Sequence, residues 1–121
     1  MLISEQIKSA IGAHGLWKSR LKSAIENGTS EFTVDRVAKD DQCDFGKFLY
    51  GADVPAAQKT ADYEKCRALH ASFHKAAAKV LRHALFGEKA EAIKEMAMGS
   101  EFARVSTELT TAMMSWSSHT K

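Results

Sequence analysis

The sequence predicts an all-α fold, a four-helix-bundle-like array of three long helices plus one short helix carrying Cys43. Three observations predict it. The 121 residues include one proline, so little in the chain breaks a helix. Apolar residues recur at alternating steps of three and four along extended segments, the period of a helix and not of a strand. Glycines stand where those segments stop, and glycine takes the left-handed conformation that closes a helix at small cost.

In the first helix, Ile3, Ile7, Ala10, His14, Trp17, Leu21 and Ala24 fall on one face, and Asn27-Gly28 ends it, giving a helix over 3–27. The stretch Thr29–Ala38 has weak periodicity and reads as a connection with room for a short turn. Asp40 and Asp41 can cap a brief helix that runs through Cys43, Phe45 and Phe48 to Gly51. Pro55 suits the first turn of the next long helix, with Asp53 as its cap. There Tyr63, Cys66, His70, Phe73, Ala77, Val80 and Ala84 share a face until Gly87. The last helix begins near Glu88 and aligns Ile93, Met98, Phe102, Val105, Leu109, Ala112 and Trp116. Gly99 interrupts it, at a cost of about 1 kcal/mol relative to alanine. With no internal repeat, low-complexity tract or linker rich in Pro, Gly or Ser, residues 1–121 read as one domain.

Composition narrows the function classes. The chain is 45% hydrophobic and 26% charged, as in ordinary globular protein. Seventeen basic against fifteen acidic residues leave +2, spread without a basic stripe, which argues against a nucleic-acid partner. No segment approaches the roughly 18 apolar residues of a membrane span, so no membrane association is expected. The first residues interrupt their apolar positions with Glu5 and Lys8, unlike a signal peptide. Two cysteines without an export signal suggest a reducing cytoplasm, where a thiol serves metal or redox chemistry.

The informative residues are polar ones on apolar seams. His14 and His70 occupy core-facing steps of two helices, and His74 follows His70 by one turn on the same face. A single such histidine is ordinarily a core residue bonded to a carbonyl or hydroxyl. Three without a common partner would cost roughly 1–3 kcal/mol each, and a shared metal removes that cost. Cys66 lies on the same face, but Cys66 and His74 are eight residues apart. That is roughly 12 Å along the axis, against a joint reach of roughly 10 Å to one zinc ion. Cys66 therefore reads as a small buried core residue. Cys43, on a separate glycine-flanked helix, can approach the histidine pair from across the bundle, and is the better ligand, although Asp41 and Asp44 oppose its thiolate. His83 is rotated by about 220° from His70, and His119 sits in a polar tail expected to fray. Trp17, Phe73 and Trp116 read as core. At least two of Met96, Met98, Met113 and Met114 read as gap-fillers within it, the alternative being an adhesive partner surface.

The string His14-Gly-Leu-Trp17-Lys18, then Cys43-Asp-Phe45-Gly46-Lys-Phe48-Leu-Tyr-Gly51, then His70-Ala-Ser-Phe-His74 resembles the chemoreceptor zinc-binding (CZB) domain. That family carries a His followed closely by an aromatic, then Cys-x-apolar-Gly-x-aromatic, then His-x-x-x-His. The resemblance implies the zinc ligands His14, Cys43, His70 and His74, the same set that spacing favours. It further implies a domain attached to a chemoreceptor or diguanylate cyclase, sensing zinc or, through its cysteine, oxidants such as hypochlorous acid. Neither a signalling nor a cyclase module is present in these residues, so such a partner would act in cis beyond them or in trans. Gly12 and Gly15 flank His14 and would let a helix approach the metal closely.

Three imidazoles and a thiolate make a closed tetrahedral set, so the expected cofactor is Zn2+ and the expected role is not enzymatic. A hydrolytic site keeps a position open for water, the His-Glu-x-x-His arrangement is absent, and no glycine-rich phosphate loop occurs. A di-iron bundle would need carboxylates on the seams, where apolar residues stand. The expectation is a zinc-binding regulatory domain with a redox-sensitive Cys43, acting as a homodimer in the cytoplasm. The alternatives are a constitutive structural zinc bundle serving as a dimerisation module and, third, a zinc buffer or carrier.

Overall fold

A computed structural model describes residues 3–52 and 54–119. Among these residues six α-helices follow in chain order: α1 (Ile3–Asn27), α2 (Val34–Ala38), α3 (Asp44–Tyr50), α4 (Ala61–Leu85), α5 (Lys89–Met96) and α6 (Glu101–His119). A 3-10 turn, Ala56–Gln58, lies between α3 and α4. Among the described residues there is no strand.

The three long helices are α1, α4 and α6, and the seams expected of α1 and α4 are their buried faces. Each of these two closes on glycine: Gly28 at φ 72° and Gly87 at φ 73°, the left-handed region that other residues avoid. The α4 end also bonds Glu88 N–H to the His83 carbonyl at 2.9 Å, satisfying a carbonyl that the helix leaves free. α4 is the hub, packing on α6, α5, α2 and α1. Phe73, Phe102, Leu21, Leu81, Leu109 and Trp116 are among the side chains closed off from solvent at its faces. Trp17 also belongs to this core.

Four local expectations need correction. The last helix is two helices, because the chain breaks at 97–100 with Gly99 at φ 86°. The break resets the helical phase, so Ile93 and Met98 leave the seam and are 52% and 100% exposed. The 29–38 connection contains a true helix, α2, started by Thr33, whose hydroxyl accepts the Arg36 N–H. Pro55 precedes the 3-10 turn with extended ψ, and α4 begins later, after Thr60. The brief third helix is capped by Cys43 itself and not by Asp40 or Asp41. The proposed cap at Asp53 lies outside the described residues. Of the methionines, Met113 is buried and Met96 packs against the core, while Met98 and Met114 are exposed.

Candidate metal centre

Three helices bring the four singled-out side chains together. His14 sits in the middle of α1, and His70 and His74 stand one turn apart on α4. Cys43 begins α3, where its sulfur accepts the Gly46 N–H at 3.3 Å. One ligand atom from each of the four lies within 4.8 Å of every other. Cys43 Sγ is 3.3 Å from His70 Nε2 and 3.5 Å from His74 Nε2, and those two nitrogens are 3.0 Å apart.

Hydrogen bonding fixes which atoms face inward. His74 Nδ1 is 2.9 Å from the Val37 carbonyl, and His14 Nδ1 is 2.9 Å from the Ala10 carbonyl. A carbonyl only accepts, so both Nδ1 atoms carry the proton and both Nε2 atoms present lone pairs. His14 Nε2 is buried with no partner. The His74 Nε2 lone pair faces His70 Nε2 at 3.0 Å, a separation that a shared proton or a shared cation bridges. A tetrahedron with Zn–N near 2.1 Å and Zn–S near 2.3 Å has edges of about 3.4–3.6 Å, close to the separations among Cys43, His70 and His74, with His14 within 4.8 Å of all three. No carboxylate belongs to the cluster. The donor set and its dimensions fit zinc.

Electrostatics point the same way. Burial, ahead of mutual repulsion among the imidazoles, holds His70 at a pKa of about 2. Burial likewise lowers His14 to about 4, against the opposing bond to Ala10, and lowers His74. All three are neutral at pH 7, the form that binds a metal. Burial raises the Cys43 thiol, while the N–H groups of Gly46, Phe45 and Cys43 itself pull it back. Losing that thiol proton to a divalent cation makes metal binding pH-dependent. An aromatic collar surrounds the imidazoles: Phe45 stands edge-on to His70 at 5.1 Å and Phe73 to His14 at 5.3 Å.

The remaining candidates lie elsewhere. Cys66 is fully buried outside the cluster, its thiol pushed up to about 12 chiefly by burial. His83 bonds Glu88 at 3.2 Å. His119 ends α6, with Nδ1 2.6 Å from Asp62. Gly12 and Gly15 are not needed for close approach at the centre, since a Cβ at either would meet nothing within 4 Å. Sequence reasoning missed the two carbonyls that orient His14 and His74, which no side chain encodes. Only the Thr33 cap hinted at the helix that presents Val37. A cavity of about 720 Å³ opens beside the centre, with Cys43, His14, His74, Trp17 and Phe45 in its wall.

Comparison with known proteins agrees with this geometry. The family model described as the chemoreceptor zinc-binding domain matches residues 14–81, a span that contains all four clustered residues. No curated protein and no solved structure matches the chain.

Proposed function

The chain belongs to the chemoreceptor zinc-binding domain family and binds zinc, and on that premise we propose that His14, Cys43, His70 and His74 hold one zinc ion in a regulatory domain of bacterial signalling. The observation that carries the reading is the convergence of three imidazole nitrogens and one sulfur, from three helices, within 4.8 Å. Zinc supplies the divalent charge that offsets the thiolate and holds the imidazoles together. Four protein ligands fill a tetrahedral sphere and leave no place for an activated water, which favours sensing over hydrolysis.

The responsive residue in this reading is Cys43. It is only partly buried and lines the cavity, whereas Cys66 is fully enclosed. Its thiolate attacks hypochlorous acid, gaining the hydroxyl as sulfenic acid while chloride leaves. A sulfenic sulfur is a weaker ligand, so α3 loosens and the surface presented to a partner changes. The partner is a chemoreceptor or diguanylate cyclase, in cis or in trans, in the cytoplasm. Among the described residues no helix is long and apolar enough to cross a membrane.

The domain in this proposal spans 1–121. The helices beyond the matched segment pack on α4, and Ser117 Oγ bonds the Ser4 carbonyl at 3.4 Å, joining the two ends. Homodimerisation is supported by α1, where Gly12 and Gly15 face open space beside Leu16, which is 54% exposed. Interior glycines cost a helix about 1 kcal/mol each, a cost that an approaching second helix offsets.

A zinc titration against a chelator of known affinity, with circular dichroism followed in parallel, tests the regulatory reading. A sensor exchanges zinc near the free cellular level and keeps most of its helix when stripped. A second reading, a constitutive structural bundle, is favoured by the closure of His70 and His74, at 0% and 2% exposure. It requires a site that stays filled and a chain that unfolds without metal.

A further inference from the structure

We propose that Gly46 and Asp40 form a backbone clamp that positions the Cys43 thiol and so sets the metal affinity of the centre, an inference that rests on the ligand assignment above. Helix α3 has seven residues, too few to be stable by itself, and its first turn carries the sulfur. Something outside the helix must fix where that sulfur points.

The residues just before Cys43 do so. They fold back over the first turn of α3 until the Asp40 carbonyl rests against the Gly46 α-carbon. A Cβ at Gly46 would lie 1.7 Å from that oxygen, 2.7 Å from its carbon and 3.0 Å from the Asp41 α-carbon. All three are backbone atoms and cannot swing aside as a flexible side chain would. Gly46 is not among the glycines with positive φ, so its role is the missing side chain and not an unusual conformation. The same residue donates its N–H to Cys43 Sγ at 3.3 Å. One glycine thus admits the returning chain and bonds the sulfur.

Asp40 is held a second time. Its carboxylate accepts the Tyr50 hydroxyl from the far end of α3, so backbone and side chain grip positions about one turn apart. Tyr63 then donates its hydroxyl to the Leu49 carbonyl at 2.7 Å. That bond ties the end of α3 to α4, the helix that carries His70 and His74. The chain Cys43–Gly46–Asp40–Tyr50, closed through Leu49 and Tyr63, sets the register between the thiol and the two imidazoles. Gly46 and Asp40 are positioning residues and touch no metal themselves.

Cobalt(II) titration of the full chain tests this, because a thiolate bound to cobalt gives a charge-transfer band in the near ultraviolet that imidazole does not. A band in wild-type protein that Cys43→Ser loses establishes the thiolate ligand; its absence in wild type, or its survival in Cys43→Ser, would overturn the ligand assignment and this proposal with it. Gly46→Ala should bind cobalt about 10–100-fold more weakly, the scale seen when groups that orient ligands are lost, with a diminished thiolate band and retained helical circular dichroism. Tyr50→Phe should lose about threefold to tenfold, as expected for one hydrogen bond. Gly12→Ala, in open space on α1, should match wild type. Wild-type affinity and an undiminished thiolate band in Gly46→Ala would overturn the clamp. Should Gly46→Ala fail to fold, Tyr50→Phe decides, and wild-type affinity there would overturn it.

Discussion

Cys43 Sγ lies 3.3 Å from His70 Nε2, although 27 positions separate the two residues in the chain. That contact joins the short helix α3 to the hub of the bundle, and no hydrophobic seam would place a thiol there. A protonated thiol beside a neutral imidazole is a weak hydrogen bond, whereas a thiolate and imidazoles around a cation form a strong cross-link. On the proposed ligand set, the docking of α3 is tied to the state of the centre.

Removing one imidazole should remove that cross-link. His70→Ala and His74→Ala are each expected to abolish tight zinc binding, measured by metal content after dialysis against a chelator. His83→Ala should bind like wild type, because His83 faces Glu88 and not the centre. Equal losses at all three positions would mean that the site lies elsewhere.

The metal-free protein should lose stability in mild acid. Burial holds His14 at about 4 and His70 at about 2, and lowers His74, while each titrates near 6.5 when unfolded. Below 6.5 the unfolded chain takes up protons that the folded chain refuses, so the folded state loses ground as pH falls. The contribution of His14 declines from about 6.5 to about 4, and that of His70 continues towards 2. Melting temperature should be level between about pH 7 and 8 and fall steadily from 6.5 to 5. A melting temperature unchanged across that interval would contradict the burial of neutral imidazoles.

Much of this arrangement is legible in the order of residues, for a specific reason. The faces of α1 and α4 each run through about seven turns, so a polar residue standing in the apolar series, such as His14 or His70, is conspicuous. Periodicity has no such power over α2, whose five residues make little more than one turn. The break before α6 is hidden because Gly99 resets the phase while apolar residues continue on both sides. The Val37 and Ala10 carbonyls and the contact of Gly46 with Asp40 are backbone features. Residue type carries little trace of them: Gly46 and the capping Thr33 mark where they lie without naming the backbone partner.

The two thiols should react in a fixed order. Peptide mass spectrometry after sub-stoichiometric hypochlorous acid should find Cys43 modified first, with zinc released in step. Cys66, fully buried and with its thiol pushed up to about 12, should lag. Earlier modification of Cys66 would remove support for redox sensing while leaving zinc binding untouched.

Gly12→Ala and Gly15→Ala separate the chain from its assembly. Neither Cβ meets a neighbour within 4 Å, so each change should stabilise α1 by about 0.5–1 kcal/mol. If a second copy packs on that face, the same changes should weaken the dimer, seen as a raised dissociation constant in sedimentation velocity. A dimer unaffected by both substitutions would place the interface on another face.

X-ray absorption at the zinc edge tests the central claim most directly. One zinc per chain, with three nitrogen neighbours near 2.0–2.1 Å and one sulfur near 2.3 Å, is the predicted result, and Cys43→Ser should remove the sulfur shell while Cys66→Ser leaves it in place. A sulfur shell that survives in Cys43→Ser, or a wild-type spectrum without sulfur, would contradict the account.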